Sequence, residues 1–225
     1  MSSTAGYHQQ GAALIVTLVM LMLLVLLSSA LAEMAILDAK AARNDTDRQV
    51  ALQAAESALA DARTDIYMAW TSASRGSLFS AHSEAVFSPG CNRGQRNPYQ
   101  GLCAGNAGSV NSLTDELISQ FDLSDSDLAS VQFGRFTGRR MPSAVGPFPA
   151  QLPRYIIELS RKISLETSTT YLYRISALGF GTQPGNQVLI QSVLQVSISS
   201  TQPITLKRIN WREIQNWQDL RQLHQ

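Results

Sequence analysis

The strongest constraint on the fold of this chain is an uninterrupted apolar run near its N-terminus. The twenty-one residues from Ala12 to Ala32 contain no ionisable side chain, and only Thr17, Ser28 and Ser29 among them are polar. A membrane-spanning helix needs about 20 predominantly apolar residues. The run therefore predicts a segment that inserts into a lipid bilayer or packs among other apolar helices.

A secretory signal peptide would also place an apolar stretch near the N-terminus. Such signals carry a basic first region and an apolar core of about 7 to 15 residues. Here residues 1–11 contain no Lys or Arg, and the helical pattern continues beyond the run. Cleavage at the small residues Ala30 to Ala32 stays open as an alternative.

The apolar run continues into a long segment without helix breakers. No glycine occurs between Gly11 and Gly76, and the first proline is Pro89. Alanine, leucine and methionine, which favour helices, dominate the segment. The sequence therefore predicts one helix from Ala12 to about Trp70.

The second half of this helix is amphipathic by pattern. One apolar stripe recurs at spacings of three and four residues: Leu52, Ala55, Leu59, Ala62, Ile66 and Ala69. The opposite face is predicted to carry Gln53, Glu56, Asp61, Arg63 and Asp65. Such a stripe packs against a folded domain. The charged stretch between the halves, Glu33 to Arg48, suits a headgroup region, a contact between subunits or a solvated face.

From Arg154 onward the pattern has a period of two, which is typical of strands. The alternating apolar positions are Tyr155, Ile157 and Leu159, then Tyr171, Tyr173, Ile175 and Ala177, then Val188, Ile190, Leu194, Val196 and Ile198. Gly179 and Gly181 are assigned to the connection between the second and third runs, with Pro184 and Gly185 in a type II turn. An edge strand is predicted from Ile204 to Ile214. We expect an α+β fold in which the long helix packs on a small antiparallel sheet.

The middle of the chain is rich in Gly, Ser, Pro and Asn, with one predicted short helix from Leu113 to Phe121, capped by Ser112 and Asp115. Cys91 and Cys103 are the only cysteines. Beyond a membrane helix the oxidising side is the expected location, so the pair is interpreted as one disulfide. Two unpaired thiols in a reducing compartment are the alternative.

The sequence contains no motif of an enzyme or of a cofactor or metal site. No P-loop, H-E-x-x-H or G-x-S-x-G pattern occurs, and the net charge is only +1. Asp122, Asp125 and Asp127 lack the spacing of a calcium loop. A basic group could touch DNA phosphates but is interpreted as a surface loop, so DNA is not an expected partner. That group consists of Arg135, Arg139 and Arg140 with Phe133 and Phe136.

Two stretches resemble the PilX-type minor pilins of type IV pili. DRQVALQAAESALADAR (Asp47 to Arg63), after a leader ending in Gly11, is similar to the N-terminal region of that family. YRISALGFGTQPGNQVLIQSV (Tyr173 to Val193) is similar to its C-terminal region. The resemblance implies cleavage by the prepilin peptidase after Gly11, with Ala12 as the N-methylated first residue of the mature chain.

The resemblance also implies a non-enzymatic subunit with no cofactor. Its partners would be other minor pilins, the major pilin, the prepilin peptidase, the inner membrane and a large tip adhesin. The subunit would be a single-pass inner-membrane protein with a periplasmic C-terminal domain, then part of the pilus tip in a complex that primes assembly. Along the chain we expect five segments: 1–11 (leader), 12–32 (transmembrane and assembly half of the helix), 33–70 (amphipathic half), 71–153 (variable region with the Cys91–Cys103 loop and a short helix) and 154–225 (antiparallel sheet and tail).

The chain departs from the pilin pattern at two places. Its leader has no Lys or Arg before Gly11, and Val16 stands at the fifth mature position, where most pilins have glutamate. A subunit without that carboxylate needs no pilin beyond it, which suggests the distal end of the fibre; alternatively, Val16 is one more lipid-facing residue. A pseudopilin of type II secretion and a membrane-anchored adhesion domain that does not assemble are the alternative functions.

Overall fold

One long helix dominates the first third of the chain. The computed structural model describes residues 9–71, 75, 84–89, 91–105, 121, 128–143, 146–199, 203–215 and 217. The helix α1 (Gln9–Thr71) confirms the predicted uninterrupted helix. Two compact units make up the chain, Met1–Thr46 and Asp47–Gln225.

The second unit contains a mixed β-sheet. Its strands are β1 (Leu102–Ala104), β2 (Val131–Gln132), β3 (Arg154–Ser164), β4 (Ser168–Phe180), β5 (Gln187–Ser199) and β6 (Thr205–Ile214). They lie in the order β1-β3-β4-β5-β6, and β2 also pairs with β3. The antiparallel neighbours β3 to β6 confirm the four predicted strand runs.

The predicted antiparallel sheet is extended at one edge by a parallel strand, so the whole sheet is mixed. Strand β1 runs parallel to β3, with Leu102 opposite Ile157. The amide of Ile157 donates a 2.8 Å hydrogen bond to the carbonyl oxygen of Gly101, which brings this edge into the ladder. Neither β1 nor β2 was predicted, because strands of three and two residues are too short to show a period of two.

The two faces of the sheet bury different apolar clusters. One face packs against the part of α1 after Asp47, whose small residues allow close approach. This cluster includes Ala51, Ala55, Ala58, Ala62, Tyr155, Ile157, Tyr173, Ile175, Ile190 and Val196. The opposite cluster includes Cys91, Cys103, Phe121, Ile156, Leu178, Phe180, Leu189 and Trp217. This division confirms the predicted period of two in β3, β4 and β5.

The hairpin between β4 and β5 corrects two expectations. Gly179 lies inside β4, where a Cβ atom would collide with the backbone of Ala51 and Ala55, so helix packing and not a turn requires glycine there. Pro184 and Gly185 do form the turn, and the amide of Asn186 donates a 3.0 Å hydrogen bond to the Gln183 carbonyl. Gly185 has no positive φ, which excludes the predicted type II geometry.

Some predictions fall on parts of the chain outside the described residues. These are the short helix at 113–121, apart from Phe121, and the aspartates Asp122, Asp125 and Asp127. Within the described part of the variable region, a short 3-10 helix, Glu84–Val86, precedes the cysteine loop, which we define as residues 91–103.

Candidate assembly segment and its anchoring contacts

The apolar part of α1 presents its side chains to the exterior. Every described side chain from Ala13 to Thr46 is exposed, including Val16 at 57%. Within the described residues, the structure has one helix that is long and apolar enough to cross a membrane, and it contains this segment. An exposed apolar surface of this kind is stable only in lipid or against other apolar helices.

The polar side chains between Ala13 and Ala32 are satisfied within the helix itself. Thr17 Oγ1 donates to the carbonyl oxygen of Leu14 at 2.9 Å, and Ser28 Oγ donates to that of Leu24 at 2.7 Å. Ser29 Oγ donates to the carbonyl oxygen of Leu26 at 2.9 Å. No water is needed to satisfy these hydroxyl groups, as a bilayer interior requires.

The predicted processing positions lie at the beginning of the same helix. Gly11 and Ala12 fall in the first turn of α1, and Val16 lies one turn further along. All three positions belong to the first compact unit. Cleavage and methylation leave no trace in an unprocessed chain, so the roles of Gly11 and Ala12 stay predictions.

In the second unit, Asp47 fixes the β4–β5 hairpin to the helix. One carboxylate oxygen, Oδ1, accepts hydrogen bonds from the Thr182 amide and from Thr182 Oγ1, the latter at 2.7 Å. The other, Oδ2, accepts one from Nδ2 of Asn186 at 2.5 Å. Asp47 is only 8% exposed. We call this arrangement the hairpin clasp.

The clasp favours the charged form of Asp47. Burial by itself would raise the pKa of this carboxyl group. The hydrogen bonds from Asn186, Thr182 and Gln183 outweigh burial and hold the pKa below its usual range. Asp47 is therefore a carboxylate at neutral pH, with donors directed at both oxygens. Close by, Arg48 pairs with both oxygens of Glu213 at 2.7 Å.

A second buried carboxylate, Asp61, holds the loop after β2. Its Oδ2 accepts a 2.7 Å hydrogen bond from the amide of Gly134, and its Oδ1 accepts one from Thr137 Oγ1 at 2.5 Å. Asp61 has no exposed surface. The helix thus sets the position of the loop that carries Arg135 and Arg139.

A third buried carboxylate, Asp65, links α1 to β3 and to Arg75. The hydroxyl of Tyr155 donates a 2.9 Å hydrogen bond to Asp65 Oδ2, and Arg75 lies 3.5 Å from the same oxygen. Burial raises the pKa of Asp65, although Arg75 and Tyr155 both favour its charged form. The Arg75 guanidinium also lies over the Phe136 ring, with its Cζ atom 3.2 Å from the ring centre.

The burial of Asp61 and Asp65 corrects the expectation that both lie on the solvent face. Gln53, Glu56 and Arg63 are exposed as predicted. The sequence did contain a signal for this burial, because each aspartate lies three or four residues from an alanine of the buried helix face. Their positions fit the same helix face: Asp47, Ala51, Ala55, Ala58, Asp61 and Asp65.

The cysteine loop is joined to the second cluster of the core. A disulfide connects Cys91 and Cys103, both of which are buried against the sheet. Asn92, in the left-handed region with φ of 43°, donates through Nδ2 to the carbonyl oxygens of Val86 and Leu102. Side-chain hydrogen bonds therefore support a loop that has few apolar residues of its own.

The three arginines of the basic group are exposed. Arg135 and Arg139 project from the loop after β2, and Arg140 follows directly. The Cζ atom of Arg139 lies 5.5 Å from the ring centre of Phe133, and that of Arg135 lies 5.1 Å from that of Phe136. The aromatic residues thus contact the arginines, as their interleaving in the sequence suggested.

Two family models match this chain. The model described as PilX N-terminal matches residues 10–60. The model described as Type IV pilus assembly protein PilX C-term matches residues 39–196, which is well over half of the chain. No curated protein and no solved structure matches.

The matched regions contain the apolar segment, the buried aspartates and the disulfide. The first covers most of α1, with the apolar segment and the hairpin clasp aspartate. The second runs from the end of the first unit through the disulfide loop and most of β5. The apolar helix and the family fit anchoring in a membrane followed by incorporation into a pilus. The chain therefore belongs to the PilX family of type IV pilus minor pilins.

Proposed function

We propose that this protein acts in the minor-pilin complex that primes assembly of type IV pili, and that it occupies the distal end of the fibre. Val16 is the observation that carries the proposal. It is an apolar, exposed residue at the fifth position after the proposed cleavage site, in a segment without any carboxylate from Ala12 to Ala32.

A charged side chain among apolar helices is unfavourable unless it is neutralised. A glutamate in such a bundle is stable when a positive group neutralises it, such as the free N-terminus of the subunit ahead. A subunit with valine there makes no such demand. It can therefore stand at the end of the fibre, where no subunit lies ahead of it.

We also propose how the chain matures and where it lies before assembly. Residues 1–11 would be the leader, removed after Gly11 by the prepilin peptidase, with Ala12 then N-methylated. Before assembly, residues 12–32 would lie in the inner membrane and the second unit in the periplasm. The partners would be the other minor pilins, the major pilin and a large adhesin at the tip.

The tip location is tested by substituting Val16→Glu, with Val16→Leu as the matched control. We expect pili to become fewer in the glutamate variant, because an unpaired carboxylate in an apolar segment costs about 3 kcal/mol. The leucine variant should behave as the wild type. Pili are counted by electron microscopy, and gold-labelled antibody to the second unit should mark the fibre ends.

Unchanged pilus numbers in the glutamate variant, with label along the whole shaft, would contradict the tip location. Maturation is tested separately by mass spectrometry of the protein from membranes. We expect a chain that begins with a methylated Ala12. A chain cleaved after Ala32 would indicate an ordinary secreted protein instead.

A further inference from the structure

A polar pocket lies between the loop after β2, the cysteine loop and the start of β3. Its volume is about 340 Å³, near the lower end of the range for small-molecule sites. Among the described residues that line it, arginine and glutamine side chains dominate and no aspartate or glutamate occurs. The residues that line it include Arg135, Arg139, Arg154, Gln95, Gln132 and Phe133.

The described residues that line this pocket carry a net positive charge from three arginines. In the described part of the chain, no carboxylate forms an ion pair with Arg135, Arg139 or Arg154. Asp61, which holds the same loop, uses both oxygens on Gly134 and Thr137 and does not line the pocket. Uncompensated arginines beside a cavity attract an anion.

Arg154 is a buried cationic residue that lines the pocket. It is only 8% exposed, and its guanidinium donates to Ser130 Oγ at 2.8 Å and to the Ser130 carbonyl oxygen at 2.5 Å. Burial, followed by repulsion from Arg135, lowers the pKa of Arg154 to about 10. The group is still charged at neutral pH, and a bound anion would favour this charged form and so offset the lowering of the pKa.

The loop holds the two exposed arginines in defined positions. Gly134 has a φ of +77°, and a Cβ atom there would collide with the carbonyl group of Arg139, so the loop closes tightly on itself. The amide of Gly138 donates a 2.8 Å hydrogen bond to the Gly134 carbonyl oxygen. With Asp61 beneath it and Phe133 against Arg139, the loop is ordered before any ligand arrives.

We propose that this pocket binds an oxyanion, a phosphate or carboxylate group of a small ligand, between the guanidinium groups of Arg135, Arg139 and Arg154. Guanidinium groups form paired, charge-assisted hydrogen bonds with such anions. The amides of Gln95 and Gln132 line the same space and can bind the neighbouring polar groups of the ligand. Arg140, although adjacent in sequence, does not line the pocket.

The test uses the full chain in dodecyl maltoside micelles at about 0.15 M ionic strength, where exposed charges are largely screened beyond roughly 8 Å. Inorganic phosphate is the first probe, and its binding is measured as 31P line broadening. Glucuronate is the carboxylate probe, measured by 1H saturation transfer. We expect saturable binding of at least one probe. If both bind, each should displace the other.

The variants separate the pocket from general surface charge. Replacing both Arg135→Gln and Arg139→Gln should weaken binding of the probe at least about tenfold, because two charge-assisted contacts are lost. Arg140→Gln is the matched control and should change binding less than about twofold. Arg135 and Arg139 are exposed, and their contacts with Phe136 and Phe133 contribute only about 0.5–1 kcal/mol at an exposed site, so the melting temperature should change by no more than a few degrees.

Three results would overturn the proposal. The first is the absence of saturable binding of either probe. The second is equal weakening by Arg140→Gln and by the double variant. The third is tighter binding of a single-stranded oligonucleotide than of either probe, with an equal loss of affinity in Arg140→Gln and in the Arg135→Gln, Arg139→Gln double variant. That result would indicate a charged surface for nucleic acid.

Discussion

The carbonyl oxygen of Ala51, in α1, occupies the space that a Cβ atom on Gly179, in β4, would need. Helix and sheet approach each other closely here because a glycine faces a row of alanines. The backbone of the helix, which cannot move aside as a flexible side chain could, therefore limits the space at this contact.

We expect Gly179→Ala to destabilise the second unit by about 1–3 kcal/mol, because the added methyl group can be accommodated only if the helix moves away from the sheet. Urea unfolding in detergent micelles measures the change. Gly185→Ala is the matched control: it lies in the turn of the same hairpin, has open space around its Cα and has no positive φ. Equal stabilities of the two variants would contradict the close approach.

The hairpin clasp predicts a pH-dependent loss of stability. We expect Asp47→Asn to cost about 1–3 kcal/mol at pH 7, because an amide offers one acceptor oxygen where the carboxylate offers two. The pKa of Asp47 is lowered in the folded chain. Its contribution is therefore complete above the unfolded pKa of about 3.9 and is lost as the pH falls through the folded pKa.

The difference in unfolding free energy between wild type and Asp47→Asn should thus shrink below about pH 4. Asp45→Asn serves as the control, because Asp45 is exposed and should change stability by less than about 0.5 kcal/mol. A difference that is the same at pH 7 and at about pH 3 would show that the clasp does not depend on the charge of Asp47.

The disulfide is expected to contribute to stability through the unfolded chain. Cys91 and Cys103 close a loop with a sequence separation of 12 residues. Loops of about this length gain roughly 3 kcal/mol in the chain-entropy model. The double variant Cys91→Ala and Cys103→Ala should lose about that amount in urea unfolding. Wild type reduced with excess thiol should lose a similar amount, whereas the variant should not respond to the thiol.

The bond between Tyr155 and Asp65 is tested by Tyr155→Phe. Removing the hydroxyl takes a hydrogen bond from a buried carboxylate, so we expect a loss of about 1–2 kcal/mol. Tyr99→Phe is the control, because Tyr99 packs partly buried against the same core and its hydroxyl makes no hydrogen bond in the described structure. Thermal unfolding followed by circular dichroism compares the two; equal losses would argue against a specific role for the bond.

The sequence predicted those parts of the fold whose causes are local. The helix follows from its composition, and β3, β4, β5 and β6 follow from a period of two or a long extended run. Strand β1 could not be predicted in this way. Its pairing depends on the Gly101 carbonyl group reaching Ile157, a contact between distant parts of the chain.

The burial of Asp61 and Asp65 and their hydrogen bonds to the second unit's loop and sheet were not predicted, for a related reason. Asp61 and Asp65 have charged side chains, which normally face water, and their partners lie 73 and 90 residues further along the chain. Only when Gly134 and Tyr155 are brought to the helix does burial of these carboxylates become favourable. The processing site, by contrast, was predicted by resemblance and has no structural signature of its own.

The hairpin clasp also sets an order of events during synthesis. Asp47 contacts Asn186, which lies 139 residues later. At about 5–20 residues per second, a ribosome needs roughly 7–28 s to make the intervening chain. The apolar segment before Asp47 emerges first and can enter the membrane, while the carboxylate still lacks its donors. Delivery of the helix and completion of the domain are therefore separate in time, and a chain interrupted between these two stages has a membrane segment but no closed domain.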